Sequence, residues 1–160
     1  MTPQVSKETI EHQRQGLLAE LRFQVATASD DELVAGSARQ LAERLAQIPR
    51  EKLDLAQVRN LESLAYSTDK VSDLTDLLKK RIGRDSRGER WAHDRVGQSL
   101  IKELEGLRER ANKIADVLKK YDLVYDDDLA RRVHLLLCRE YVRHLAANFE
   151  YLRLEKEVAR

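Results

Sequence analysis

Apolar residues recur at every third or fourth position along most of this 160-residue chain, which is the periodicity of one face of an α-helix. The strictest pattern steps 4-3-4-3-4-3 along Leu100, Leu104, Leu107, Ala111, Ile114, Leu118 and Tyr121. It predicts a coiled-coil-like seam on one long helix that starts near Gly88. A last helix repeats the spacing along Leu135, Cys138, Val142, Leu145, Phe149 and Leu152. Because Val133, Leu137 and Tyr141 add a second apolar side, we expect this last helix to lie at the centre of a bundle.

The first half of the chain predicts four shorter helices. The first runs from about Ser6 to Thr27, and Pro49 ends the second, which carries apolar residues from Leu33 to Ile48. Asp54 and Gln57 have the spacing of a capping box for the third helix. The fourth carries Val71, Leu74, Leu78 and Ile82, with Gly83 just beyond its C-terminal end.

These helices predict an all-α fold: a bundle of five or six helices with a long C-terminal antiparallel helical hairpin. We expect a single domain over residues 1–160, in which an N-terminal helical hairpin (residues 1–50) packs on a bundle formed by residues 54–160.

Composition narrows the class of protein. The chain is 42% hydrophobic and 36% charged with a net charge of +1, so it should fold, and any polyanion must be met by a local patch. The one cysteine, Cys138, suits a reducing compartment and lies in an apolar seam, where we expect an inert thiol. With neither a signal peptide nor a membrane span in the sequence, we expect a soluble, cytoplasmic protein. The sequence also contains no cofactor-binding motif, so we expect none to be bound.

The main local anomaly is the segment 79–95, whose 17 residues hold seven basic and three acidic side chains, a net charge of +4. The basic residues are Lys79, Lys80, Arg81, Arg84, Arg87, Arg90 and Arg95. Its glycines and serine indicate a mobile connection, and its single aromatic residue, Trp91, is suited to stacking on an unpaired base. The segment therefore predicts a nucleic-acid surface. The alternative is a solvated loop whose bases pair with nearby acidic helices, with Trp91 packed in the protein.

A second candidate is a stripe of arginines on the last helix. Helical geometry places Arg132, Arg139 and Arg143 within about 40° of one another, which suits contacts with successive phosphates. Glu150 on the same face favours the alternative, a solvated face that is salt-bridged to its neighbours.

Three patterns raise the question of catalysis or metal binding, and we expect neither. Arg139 and His144 have the R-x4-H spacing of HEPN-type ribonucleases, but five positions on a helix separate the side chains by about 140°. His93-Asp94 resembles the doublet of helical metal-dependent phosphohydrolases but lacks the other ligands at suitable spacing. The acidic run Asp126 to Asp128 is better explained by capping of the last helix than by a metal ion.

The segment from Leu55 to Asn60 (LAQVRN), continued by Leu64-Ala65, residues 71–84, Trp91 and the aromatic end at 141–151, resembles the small α-helical subunits of type III CRISPR effector complexes. The resemblance covers about residues 55–152, with Arg59 and Asn60 the only residues matched one by one. It implies a small, non-catalytic subunit that lines the path of RNA in a ribonucleoprotein with other subunits and can self-associate. The alternatives are a helical protein–protein adaptor and, third, a HEPN-type ribonuclease.

Overall fold

The computed structural model describes residues 5–121 and 128–159, and within these ranges it contains helices and no strand. The helices are α1 (Lys7–Ser29), α2 (Ser37–Ala46), α3 (Leu55–Ser67), α4 (Val71–Arg84), α5 (Val96–Leu118) and α6 (Asp128–Val158). One π-helical turn, Glu32–Gly36, precedes α2, and one 3₁₀ turn, His93–Arg95, precedes α5. The predicted all-α fold with a long C-terminal helix is confirmed. Among the described residues, no helix combines the length and the apolar character needed to cross a membrane.

Helix α6 lies at the centre of the bundle and packs against α2, α3 and α5. Both of its predicted apolar sides are buried, including Cys138, Tyr141 and Phe149. Arg108 of α5 lies near His134 of α6, whereas Glu103 lies near Tyr141. Residue numbers therefore run in opposite directions along the two helices, as expected for an antiparallel pair. The predicted α5 seam is buried from Leu100 to Leu118.

Side-chain caps begin several helices where the sequence predicted. The Ser6 hydroxyl accepts a hydrogen bond from the Thr9 amide at 3.1 Å, and the Asp54 carboxylate accepts one from the Gln57 amide at 3.1 Å. The second helix was predicted to carry Leu33, which instead lies before α2 and is 64% exposed. The π-helical turn carries Leu33 and replaces the regular helix there.

Two boundaries near the basic segment also differ from expectation. Gly83 lies inside α4, which continues to Arg84, and is not the residue after its end. The long helix begins at Val96 rather than near Gly88, because Asp94 and Arg95 have φ angles of 48° and 55°. Left-handed backbone of this kind interrupts a right-handed helix. Of the acidic run expected to cap α6, Asp126 and Asp127 lie outside the described residues.

Candidate nucleic-acid interface

The segment 79–95 forms one end of the bundle, from the last turns of α4 through the connection to α5. Six of its seven basic side chains are exposed. Within residues 5–121 and 128–159 these six make no ion pair or side-chain hydrogen bond. We call this set the basic surface: Lys79, Lys80, Arg84, Arg87, Arg90 and Arg95.

The three acidic side chains of the segment are engaged by other groups. Glu89 pairs with Lys52 at 2.8 Å, and this contact holds the pKa of the Glu89 carboxyl below its usual value. Asp94 pairs with Arg44 at 3.7 Å. Asp85 accepts hydrogen bonds from backbone amides. The six basic side chains form no ion pair with these acids, although the charges of Arg90 and Arg87 lower the pKa values of Asp85 and Glu89. With seven basic and three acidic side chains, the segment keeps a net positive charge.

The connection between α4 and α5 is organised around the Asp85 carboxylate, although the sequence suggested a mobile loop. One carboxylate oxygen accepts from the Glu89 amide at 3.1 Å, and the other accepts from the amides of Arg90 at 2.8 Å and Ala92 at 2.9 Å. Burial alone would raise the pKa of Asp85, but these three bonds and Arg90 bring it below its usual value. Gly88, with φ of 63°, allows the turn that its amide closes on the Asp85 carbonyl at 3.1 Å.

Trp91 was proposed to stack on a base, and the structure places it in the core instead. The side chain is 2% exposed, and its indole Nε1 donates to the Gln57 side chain at 2.8 Å. The Arg81 guanidinium lies 5.2 Å from the centre of the indole ring and donates to the Gln57 carbonyl at 3.0 Å. Burial lowers the pKa of Arg81. Trp91 and Arg81 thus join α3 to the segment and are not part of its outer surface.

The left-handed turn at Asp94 and Arg95 is held by hydrogen bonds from Arg44 of α2. Arg44 donates to the Asp94 carbonyl at 2.7 Å and to the Ser99 hydroxyl at 3.2 Å. The first turn of α5 then passes so close to Trp91 that a Cβ atom at Gly97 would lie 2.6 Å from the Trp91 carbonyl oxygen. Glycine is therefore required at position 97 for the close approach of α5 to the segment.

In the predicted arginine stripe on α6, two of the three arginines donate hydrogen bonds to other groups of the protein. Arg139 donates through Nε to the Ala65 carbonyl at 2.7 Å and through Nη2 to the Thr68 carbonyl at 3.0 Å, so it caps the C-terminal end of α3. Arg139 also lines a groove together with Arg132, and its assignment to a phosphate-binding face stays a prediction. Arg143 is exposed but donates to Glu140 at 2.7 Å, a contact that raises the pKa of Arg143. Arg132 is exposed and borders a groove at the start of α4, beside Asp69 and Lys70.

The structure does not join the stripe to the basic surface. Arg139 contacts the residues just before α4, whereas the basic surface begins in the last turns of α4. Helix α4 has 14 residues. The basic surface begins at Lys79, eight residues after Val71, so at the rise of an α-helix the two sites are separated by about 12 Å along its axis.

The residues of the R-x4-H pattern serve separate contacts. His144 Nε2 lies 3.0 Å from the Ser29 hydroxyl, while Arg139 caps α3. The Ser29 hydroxyl donates to the Glu140 carboxylate at 2.9 Å, so the contact with His144 is one in which the hydroxyl accepts. A histidine that activates a serine must instead accept its proton, and Ser29 is only 2% exposed. The cluster therefore fastens α1 to α6 without forming a nucleophile and base pair.

Sequence reasoning missed the two residues that shape the segment, Asp85 and Arg44. Asp85 follows a helix and precedes Ser86 and Gly88, which is a turn signal, but its amide partners depend on the folded loop.

Arg59, matched in the resemblance, pairs with Glu150 at 2.6 Å, and Asn60 is exposed. No protein-family model matches the sequence, and neither a curated protein nor a solved structure matches it.

Proposed function

We propose that this chain is a non-catalytic, RNA-associated helical subunit of a larger cytoplasmic ribonucleoprotein, and that it contacts the RNA backbone through the basic surface. One observation carries the proposal. Six exposed cations fall within one 17-residue segment and form no ion pair among the described residues, while the acids of the same segment are engaged by Lys52, Arg44 and backbone amides. Exposed cations that form no ion pair attract a phosphate backbone and release its counterions.

The contact is with phosphates rather than with bases. The aromatic residue of the segment, Trp91, is buried, so the surface offers guanidinium and ammonium groups to a ligand. Arginine forks bind phosphate oxygens bidentately, and such contacts carry no direct sequence information. The resemblance of residues 55–152 to small subunits of type III CRISPR effector complexes supports the same proposal, with RNA bound alongside other subunits.

The test is a binding titration over a series of salt concentrations. The ligand is a short, unstructured single-stranded RNA with a fluorescent label, and the variant changes Arg84, Arg87 and Arg90 to Ala. Binding should weaken for all RNA sequences, and the salt slope should flatten by up to about two units, since each neutralised phosphate contributes about 0.7. The thermal melt should stay unchanged, because all three side chains are exposed.

A matched control removes the same charge elsewhere. Arg14, Arg39 and Lys102 are exposed and make no ion pair or side-chain hydrogen bond among the described residues, so their triple Ala variant should bind RNA nearly as the wild type does. Unchanged RNA affinity in the Arg84, Arg87 and Arg90 variant would reject the proposal. The protein–protein adaptor would then become the leading function.

A further inference from the structure

We propose that Asp85, an acidic residue inside the basic surface, is a positioning residue that increases the affinity for RNA. The inference rests on the proposed function. Asp85 acts on Arg87 and Arg90 by holding the loop that carries them in one conformation before the ligand arrives.

The contacts of Asp85 make this possible. Its carboxylate accepts the backbone amides of Glu89, Arg90 and Ala92 at 2.8–3.1 Å, and its own carbonyl accepts the amide of Gly88 at 3.1 Å. The loop from Ser86 to Ala92 is therefore wrapped around one side chain. Hydrogen bonds to an ionised acceptor are about twice as strong as those between neutral groups.

The Asp85 carboxylate has two opposite effects on RNA affinity, one through its charge and one through preorganisation of the loop. By charge alone, a carboxylate next to bound phosphates weakens binding, so its removal should tighten the complex. By preorganisation, its removal frees the loop, and the ligand must then order it on binding. Ordering the backbone of even one more residue weakens affinity by roughly tenfold. For a phosphate about 10 Å from the carboxylate in water, removal of one charge changes affinity by about twofold. Preorganisation should therefore decide the sign.

Glu89 offers a matched control in the same loop. Its side chain also carries one negative charge, but it contacts Lys52 at 2.8 Å rather than backbone amides of the loop. Glu89→Ala removes the same charge, frees the Lys52 ammonium and leaves the amide of residue 89 able to donate to Asp85. We expect Glu89→Ala to bind RNA as tightly as the wild type or up to about twofold more tightly. We expect Asp85→Ala to bind about tenfold more weakly, with Asp85→Asn between the two because it keeps one acceptor oxygen.

A double-mutant cycle separates positioning from a general effect on the fold. If Asp85 acts through Arg87 and Arg90, Asp85→Ala should cost little further affinity once both arginines are Ala. A residue that only stabilises the fold would cost the same affinity in both backgrounds. Thermal melts identify any variant that is unfolded at the binding temperature, in which case Asp85→Asn is used in the cycle.

The outcomes distinguish this inference from the proposed function. Absence of salt-dependent RNA binding by the wild-type chain would reject both. If the wild type binds RNA and both Asp85→Ala and Asp85→Asn bind it equally or more tightly, the positioning role is rejected and the proposed function stands. An equal loss in both backgrounds of the cycle would also overturn it. Weaker binding in Asp85→Ala, together with unchanged or tighter binding in Glu89→Ala and a coupled cycle, supports it.

Discussion

The basic surface and the arginine stripe on α6 contain the same residue type in clusters, but their guanidinium groups lie in different surroundings. In the segment 79–95, Arg84, Arg87, Arg90 and Arg95 extend into solvent, and the acids nearby are held by other groups. On α6, Arg139 donates to two carbonyls of the α3 end, and Arg143 donates to Glu140. The position of the acceptors, rather than the number of arginines, therefore determines which guanidinium groups form contacts within the protein.

The largest effect should come from the core beneath the basic surface. Trp91→Ala removes a buried indole and should lower the free energy of unfolding by about 3–5 kcal/mol. Trp91→Phe keeps a ring, loses the bond to Gln57 and should cost less. Because the indole does not face solvent, Trp91→Phe should bind RNA as the wild type does at temperatures well below its melt. Weaker RNA binding by Trp91→Phe with an unchanged melt would mean that the indole reaches the ligand.

Two neighbouring arginines of the stripe should differ in their effect on stability. Arg139→Ala leaves the carbonyls of Ala65 and Thr68 without their charged donor and should cost about 1–3 kcal/mol. Arg143→Ala breaks an exposed ion pair with Glu140 and should cost at most about 1 kcal/mol. Denaturant unfolding of both variants measures the difference. Equal costs would contradict the distinction between a capping arginine and a surface arginine.

Much of the fold follows from the sequence because helical periodicity reports which positions face a core. The seam from Leu100 to Leu118 and the two-sided apolar face of α6 are buried as predicted. Caps at Ser6 and Asp54 also follow from local residue spacing, since their hydrogen bonds join residues three positions apart.

The candidate site was less predictable because its decisive contacts join residues that are distant in sequence. Trp91 and Arg81 donate hydrogen bonds to Gln57, 34 and 24 positions away, and the turn at Asp94 is held by Arg44, 50 positions away. Charge patterning located the segment but could not show that Arg81 is partly buried against Trp91 whereas Arg84 is exposed. In the same way, helical spacing placed Arg139 on one face of α6 but gave no indication that the end of α3 lies against it.

The most direct test compares triple Ala variants of the two arginine clusters in one experiment. One variant changes Arg84, Arg87 and Arg90 to Ala, and the other changes Arg132, Arg139 and Arg143 to Ala, so that both lose the same formal charge. RNA affinity and the thermal melt are measured for each. The first variant should lose RNA affinity and keep its melting temperature, whereas the second should keep most of its affinity and melt at a lower temperature. Equal loss of RNA affinity in both variants, with equal melts, would contradict the assignment of binding to the basic surface.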